Sequence, residues 1–250
     1  MNKVAAITLS FWIMKICATT LGETAGDLLS MTLDIGYAAS TVILLGIFLA
    51  TLVLQVRSTA FHPGLYWLVI LSTSTAGTTM SDFMDRTLEL GYATGSALIA
   101  GTLVMVLVTW WAVEGSLSVA RIQSRRAELF YWTAVLVSNT LGTALGDYLA
   151  DDSGLGFLGG ALLIGSSIAI VSVLYYTTRI NHVVLFWLAF VLTRPFGATF
   201  GDLLTKPLEA GGLGFGTIGS SAVLATLLVV LVVRSVRTDR RAADLVLAAH

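Results

Sequence analysis

One cysteine and three histidines stand among 250 residues, so the chain lacks the ligands for a disulfide framework or a histidine metal centre. Cys-x-x-Cys and His-Glu-x-x-His strings are absent, and His62, His182 and His250 fall away from any inward face. With no nucleophile beside a base, the chain is expected not to be an enzyme and to need no cofactor. Charge is scarce as well. Asp, Glu, Lys and Arg make up 12% of the residues and the net charge is −1, which leaves no footprint for nucleic acid. What fills the chain instead is apolar: 56% of residues are hydrophobic and the mean hydropathy is +0.87. A soluble domain of this length cannot hide that much apolar surface, so the lipid bilayer is the expected partner.

Eight apolar runs approach the roughly 20 residues needed to cross a bilayer as helix. They lie at about 5–29, 36–56, 63–84, 91–113, 127–150, 156–177, 182–204 and 214–234. The first has no small-residue cleavage site after it and is expected to be a retained span. Counted by alternate sides, one set of loops and ends holds Lys3, Arg57, Arg121, Arg125, Arg126, Arg179, Arg234, Arg237, Arg240 and Arg241. The opposite set holds only Arg86 and Lys206. The positive side marks the cytoplasm, so both termini are expected there. The tail after Arg234 reads as a basic stop-transfer flank.

Repetition organises the chain. Trp12, Trp67, Trp132 and Trp187 each stand fifteen residues before an aspartate, at Asp27, Asp82, Asp147 and Asp202. The strings ending at these aspartates are TLGETAGD, TAGTTMSD, TLGTALGD and PFGATFGD. An aliphatic-Gly-aromatic step follows nine residues later at Gly36, Gly91 and Gly156, and twelve residues later at Gly214. The tryptophan spacings of 55, 65 and 55 nest one duplication inside another. The expected halves are 1–120, with units 1–57 and 58–120, and 121–250, with units 121–180 and 181–237 before a short cytoplasmic tail. Two spans per unit make every unit point the same way, so the expected fold is all-α with eight transmembrane helices, pseudo-symmetric about the membrane normal.

These four tryptophans and the Gly-x-x-x-Gly/Ser-Asp strings resemble a family of bacterial integral membrane proteins built from four tandem copies of a repeat of unknown function. Each copy in that family has two transmembrane regions and a characteristic tryptophan. The resemblance runs from about Phe11 to Arg234 and implies the architecture without naming a substrate.

At 100° per residue, the positions four and seven before each aspartate share its helix face. They are Glu23 and Thr20, Thr78 and Thr75, Thr143 and Thr140, then Ala198 and Pro195. An adjacent face carries small-xxx-small pairs, Gly22/Gly26, Gly77/Ser81, Gly142/Gly146 and Gly197/Gly201, which suit close helix packing. The tryptophans are expected at the inner membrane interface, with the aspartates about 22 Å further out. There they either face a polar vestibule or cap the chain where the helix ends. Lys15, Glu23, Asn139 and Arg194 each break the repeat. Lys15 and Arg194 are expected counter-charges able to pair with acids on neighbouring helices.

The expected ion-binding set is Asp27, Glu23, Asp82, Asp147 and Asp202, with Thr20, Thr75, Asn139 and Thr140 as neutral oxygens. The four aspartates are the candidate metal ligands. Five carboxylates against Lys15 and Arg194 give a formal −3, and such hard oxygens suit Mg²⁺ or Mn²⁺ better than copper or zinc. The expected function is a secondary transporter of a hard cation, coupled to protons, with the small cation and protons as its partners and a homo-oligomer as an open possibility. A cation channel, a transporter of a small organic ion and a non-transporting membrane scaffold stand as alternatives.

Overall fold

The computed structural model describes residues 3–122 and 124–248, with side chains except those of Arg121 and residues 238–248. Readings of side chains from Thr238 onward, Arg240 and Arg241 among them, of the Arg121 side chain and of His250 lie outside the described residues. Eight α-helices run as α1 Leu9–Asp27, α2 Tyr37–Arg57, α3 Pro63–Asp82, α4 Tyr92–Glu114, α5 Arg125–Asp147, α6 Gly156–Thr177, α7 His182–Thr205 and α8 Gly216–Ala248. No strand occurs among the described residues.

Local chemistry sets the helix starts. Thr8, Ser124 and Asn181 accept backbone amide hydrogen bonds at the heads of α1, α5 and α7, and Pro63 opens α3 where no intrahelical donor is needed. At their far ends, α1, α3 and α5 do not stop at the motif aspartate. Each widens into a five-residue π-helical turn, Leu28–Thr32, Phe83–Thr87 or Tyr148–Asp152, closed by a bond from the amide five residues on. Gly36 and Gly91 then take φ of +81° and +71°, a backbone shape open to glycine, and turn the chain into α2 and α4. The fourth unit lacks the π-turn. There α7 runs on to Thr205, and a longer loop through Gly211 and Gly214 leads to α8.

The odd-numbered helices form a closed inner ring, α1 against α3, α3 against α5, α5 against α7 and α7 against α1. Each even-numbered helix covers the next unit's inner helix: α2 lies on α3, α4 on α5 and α6 on α7. The last, α8, closes the circle on α1 with lesser touches on α3 and α7. Their outward faces are apolar, with Val42, Ile47, Val104, Met105, Leu162, Ile170 and Val229 exposed. Five helices are long and apolar enough to cross a membrane, namely α2, α4, α6, α7 and residues Gly216–Arg237 of α8. Helices α1, α3 and α5 are of similar length, at 19, 20 and 23 residues, but carry the polar side chains of the ring interior.

Small residues let the ring close. A Cβ built on Gly22 would stand 2.3 Å from Ser74 Cβ, and one on Gly142 would stand 2.3 Å from Arg194 Cγ. Gly77 meets Asn139 in the same way, and Gly197 meets Thr19. Every inner helix thus seats the residue eight before the next helix's aspartate against its own glycine. Gly22→Ala is expected to lower stability by about 1–3 kcal/mol through overpacking against Ser74 backbone, read as a lower thermal midpoint in detergent.

Inward residues recur every four positions, so the ring interior has five layers of four. From the aspartates downward they are Asp27, Asp82, Asp147 and Asp202; then Glu23, Thr78, Thr143 and Ala198; then Thr19, Ser74, Asn139 and Arg194. Below these come Lys15, Ile70, Val135 and Phe190, and finally Phe11, Tyr66, Tyr131 and Phe186. All twenty are buried. The motif tryptophans are mostly covered by protein. Trp67, Trp132 and Trp187 are buried and only Trp12 is half-buried, so they wedge among the lowest layer instead of forming a lipid-facing belt. Phe11 lies 5.6 Å from Trp67, Tyr66 5.5 Å from Trp132, and the Tyr66 and Tyr131 hydroxyls are 2.7 Å apart. That aromatic floor seals the ring at the end opposite the aspartates.

Candidate functional site

The four motif aspartates come together at one end of the ring. None of Asp27, Asp82 or Asp147 makes a side-chain capping bond to the turn that follows it, so capping does not explain them. Their partners are the two bases that sequence reading left in the outer loops. Arg86 reaches Asp82 through Nε at 3.3 Å and Asp147 through Nη2 at 3.3 Å. Lys206 reaches Asp27 at 2.9 Å and Asp202 at 3.2 Å. Burial works against the charge on both bases, but the flanking carboxylates outweigh it and hold Arg86 and Lys206 above their ordinary pKa values. The four acids therefore form two bridged pairs, Asp82 with Asp147 and Asp27 with Asp202.

A sequence signal for these bases existed. Each stands four residues after a motif aspartate, and they are 120 residues apart, the same offset that relates Asp82 to Asp202 and Asp27 to Asp147. Ending the expected spans at 84 and 204 left both bases in the loops, whereas the π-turn after Asp82 and the run of α7 to Thr205 bring them back to the aspartates.

One layer deeper lies a buried ion pair. Arg194 donates from Nη1 to Glu23 Oε2 at 2.9 Å and to the Thr19 carbonyl at 3.3 Å. Its Nη2 donates to Thr143 Oγ1 at 2.7 Å, to Thr78 Oγ1 and to the Ser74 carbonyl at 3.4 Å. One guanidinium from α7 therefore touches α1, α3 and α5, and it closes the ring axis with no exposure to solvent. The expected pairing of Arg194 with a neighbouring acid is met here by Glu23.

Among the described residues Lys15 finds no acid. Its Nζ bonds Asn139 Oδ1 at 3.4 Å and sits 4.2 Å from the centre of the Phe190 ring. Asn139 in turn donates to Thr73 Oγ1 and Ser74 Oγ, which fixes it below the carboxylates and apart from them. Thr20, Thr75 and Thr140 also stay out of the cluster. Their hydroxyls turn back onto their own helices, at the Ile16, Leu71 and Leu136 carbonyls. The physical reason is the packing direction. Helices that cross closely interlock along i, i+4 rows, so the positions four and eight before the aspartate face inward and the position seven before does not. Thr78 and Thr143 supply the neutral oxygens instead, each also reaching Glu23 Oε2 at 3.4 Å.

The chemistry of the set is acidic and oxygen-only. Glu23, Asp147 and Asp202 each offer one carboxylate oxygen within 4.8 Å of the others, and all three residues are buried. Asp82 Oδ2 is buried without a hydrogen-bond partner among the described residues. With Arg86 and Lys206 counted beside Lys15 and Arg194, the five carboxylates leave a formal −1 where sequence reading had −3.

Comparison with curated proteins and with solved structures finds no match. A family model described as Repeat of Unknown Function (DUF347) matches four times in tandem, over residues 10–61, 65–116, 130–181 and 185–241, with each match holding one Trp-to-Asp helix and the helix after it. With most of its length covered by these four copies, the chain belongs to the DUF347 repeat family.

Proposed function

We propose that this protein is a secondary transporter of a hard cation such as Mn²⁺ or Mg²⁺, coupled to protons, in the bacterial cytoplasmic membrane. In this reading all eight helices span the bilayer, the four units repeat about the membrane normal and both termini are cytoplasmic. The observation that carries the proposal is the stack of five carboxylates and four bases within one ring of helices. Buried charge is costly in a bilayer, and a repeat built for packing alone has no use for it. Oxygen donors without histidine or thiolate suit a hard divalent ion or a proton. Arg194 across the axis and the aromatic floor below favour a carrier over an open channel, with the halves 1–120 and 121–250 rocking to open each side in turn.

The test is Mn²⁺ flux into proteoliposomes under a pH gradient. Asp27→Asn with Asp147→Asn is expected to cut the gradient-driven flux at least about tenfold, on the scale of removing a charged ligand. Full flux in that double variant would sink the proposal. The close packing around the ring axis favours a second reading, a non-transporting scaffold, for which wild-type protein carries no flux above empty liposomes.

A further inference from the structure

Arg86 and Lys206 hold the places that a cation would take. Each bridges two aspartates from adjacent inner helices, with nitrogen to oxygen distances of 2.9 to 3.3 Å. Their side chains are 30% and 22% exposed, whereas the carboxylates they bridge are 3–6% exposed. The bases are thus the layer between the acids and solvent. Beneath them, Asp82 Oδ2 is buried and has no hydrogen-bond partner among the described residues, and oxygens of Glu23, Asp147 and Asp202 crowd within 4.8 Å. An ion with ligand distances of about 2.0–2.6 Å can bridge three oxygens spread that far after a small contraction.

Charge selects the class of ion. Glu23, Asp147 and Asp202 carry three negative charges, and Arg194 at 2.9 Å from Glu23 offsets one of them. Two remain on these three ligands, which matches a divalent cation, while Asp27 and Asp82, freed when the tethered bases withdraw, leave the ring mouth negative and draw a cation in. Each tether also releases a ligand of this set, Lys206 freeing Asp202 and Arg86 freeing Asp147.

We propose that Arg86 and Lys206 are tethered competitors: a divalent cation binds Glu23, Asp147 and Asp202 by displacing both side chains, which swing outward and neutralise the acids again when the ion leaves. This inference rests on the reading of the aspartate cluster as a cation site. A tethered base acts at an effective concentration in the millimolar range or above, so it sets the affinity for a free ion without any further contact. It also keeps the four aspartates paired with a base whenever the ring is empty of the ion, so the empty state holds no bare cluster of carboxylates in a low-dielectric interior.

The test measures binding directly on the purified full chain in detergent, as loss of the free Mn²⁺ paramagnetic resonance signal at mildly alkaline pH. Arg86→Gln with Lys206→Gln is expected to bind Mn²⁺ at least about tenfold tighter than wild type. Adding Asp202→Asn to that pair is expected to cancel the gain. Binding that is unchanged or weaker in a folded, monodisperse double variant overturns the inference. A second measurement needs no variant: Mn²⁺, but not Na⁺, is expected to speed acylation of the Lys206 amine in wild type, read at that site by mass spectrometry. Labelling that ignores Mn²⁺ likewise overturns it. The two readings fail separately. Wild type that binds Mn²⁺ with these signatures but carries no flux removes the transporter, whereas flux that needs Asp27 and Asp147 without tighter binding in the double variant removes the competitors alone.

Discussion

Glu23→Gln is expected to destabilise the protein by about 3–5 kcal/mol, the cost of leaving a buried guanidinium without its carboxylate. Arg194 has no exposed surface and Glu23 is 3% exposed, so neither water nor lipid headgroups can replace the lost partner. The Thr78 and Thr143 hydroxyls and the Thr19 and Ser74 carbonyls still accept from Arg194, but none is charged. Adding Arg194→Met to Glu23→Gln is expected to restore most of the stability, because an apolar side chain of similar length fills the space without a charge to desolvate. The check is a double-mutant cycle on thermal unfolding midpoints in one detergent. A Glu23→Gln loss no larger than that of a surface substitution would show that the pair does not lock the ring. If the pair also takes part in transport, the double variant regains its fold but not its flux, which separates the two roles.

Lys15→Met is expected to act in the opposite direction, raising stability by about 1–3 kcal/mol, the scale for removing a poorly compensated buried polar group. The Lys15 amine is fully buried, and among the described residues its contacts are one 3.4 Å hydrogen bond to Asn139 and the face of Phe190. Neither supplies the negative charge that would offset its desolvation. Methionine keeps most of the volume and packs among Ile70, Val135 and Phe190 in the same layer. A higher unfolding midpoint together with lower Mn²⁺ flux would mark Lys15 as a functional charge kept at the expense of stability. Lower stability would show that the Asn139 and Phe190 contacts outweigh burial.

Much of the frame is legible before any coordinates. The shared Trp-to-Asp offset delimits four units, and the apolar runs place eight helices within about four residues of where they lie, except that α8 runs on to Ala248, well past the expected end at 234. The small-xxx-small pairs mark the faces on which the inner helices meet. What escapes is the neighbour of each face. A tryptophan near a helix end reads as an interfacial anchor, yet Trp67 and Trp132 are covered, because an outer helix from the preceding unit shields the ring. Helix angles taken in isolation equate Thr75 with Thr78. Only the interlocking of two helices separates the hydroxyl that meets Glu23 from the one that returns to its own backbone. Arg86 and Lys206 were visible as the sole outer bases, but their reach depends on the turn after each aspartate, which no periodicity marks.

The unit that repeats in sequence is not the unit that packs. Because each outer helix covers the inner helix that follows it, a chain ending after α4 would leave α1 bare and α4 without a seat. A second copy of the same fragment supplies both, its own α1 standing where α5 stands here. Two short chains that trade their last helices could therefore close the same circle. A gene fusion then has only to join ends that already meet, after which each half is free to diverge. The charges at the centre mark where the two halves differ: Glu23 corresponds to Thr143 across the 120-residue offset, and Arg194 to Ser74. An ion pair of this kind needs an unequal partner, which two identical chains sharing one axis could not have placed only once.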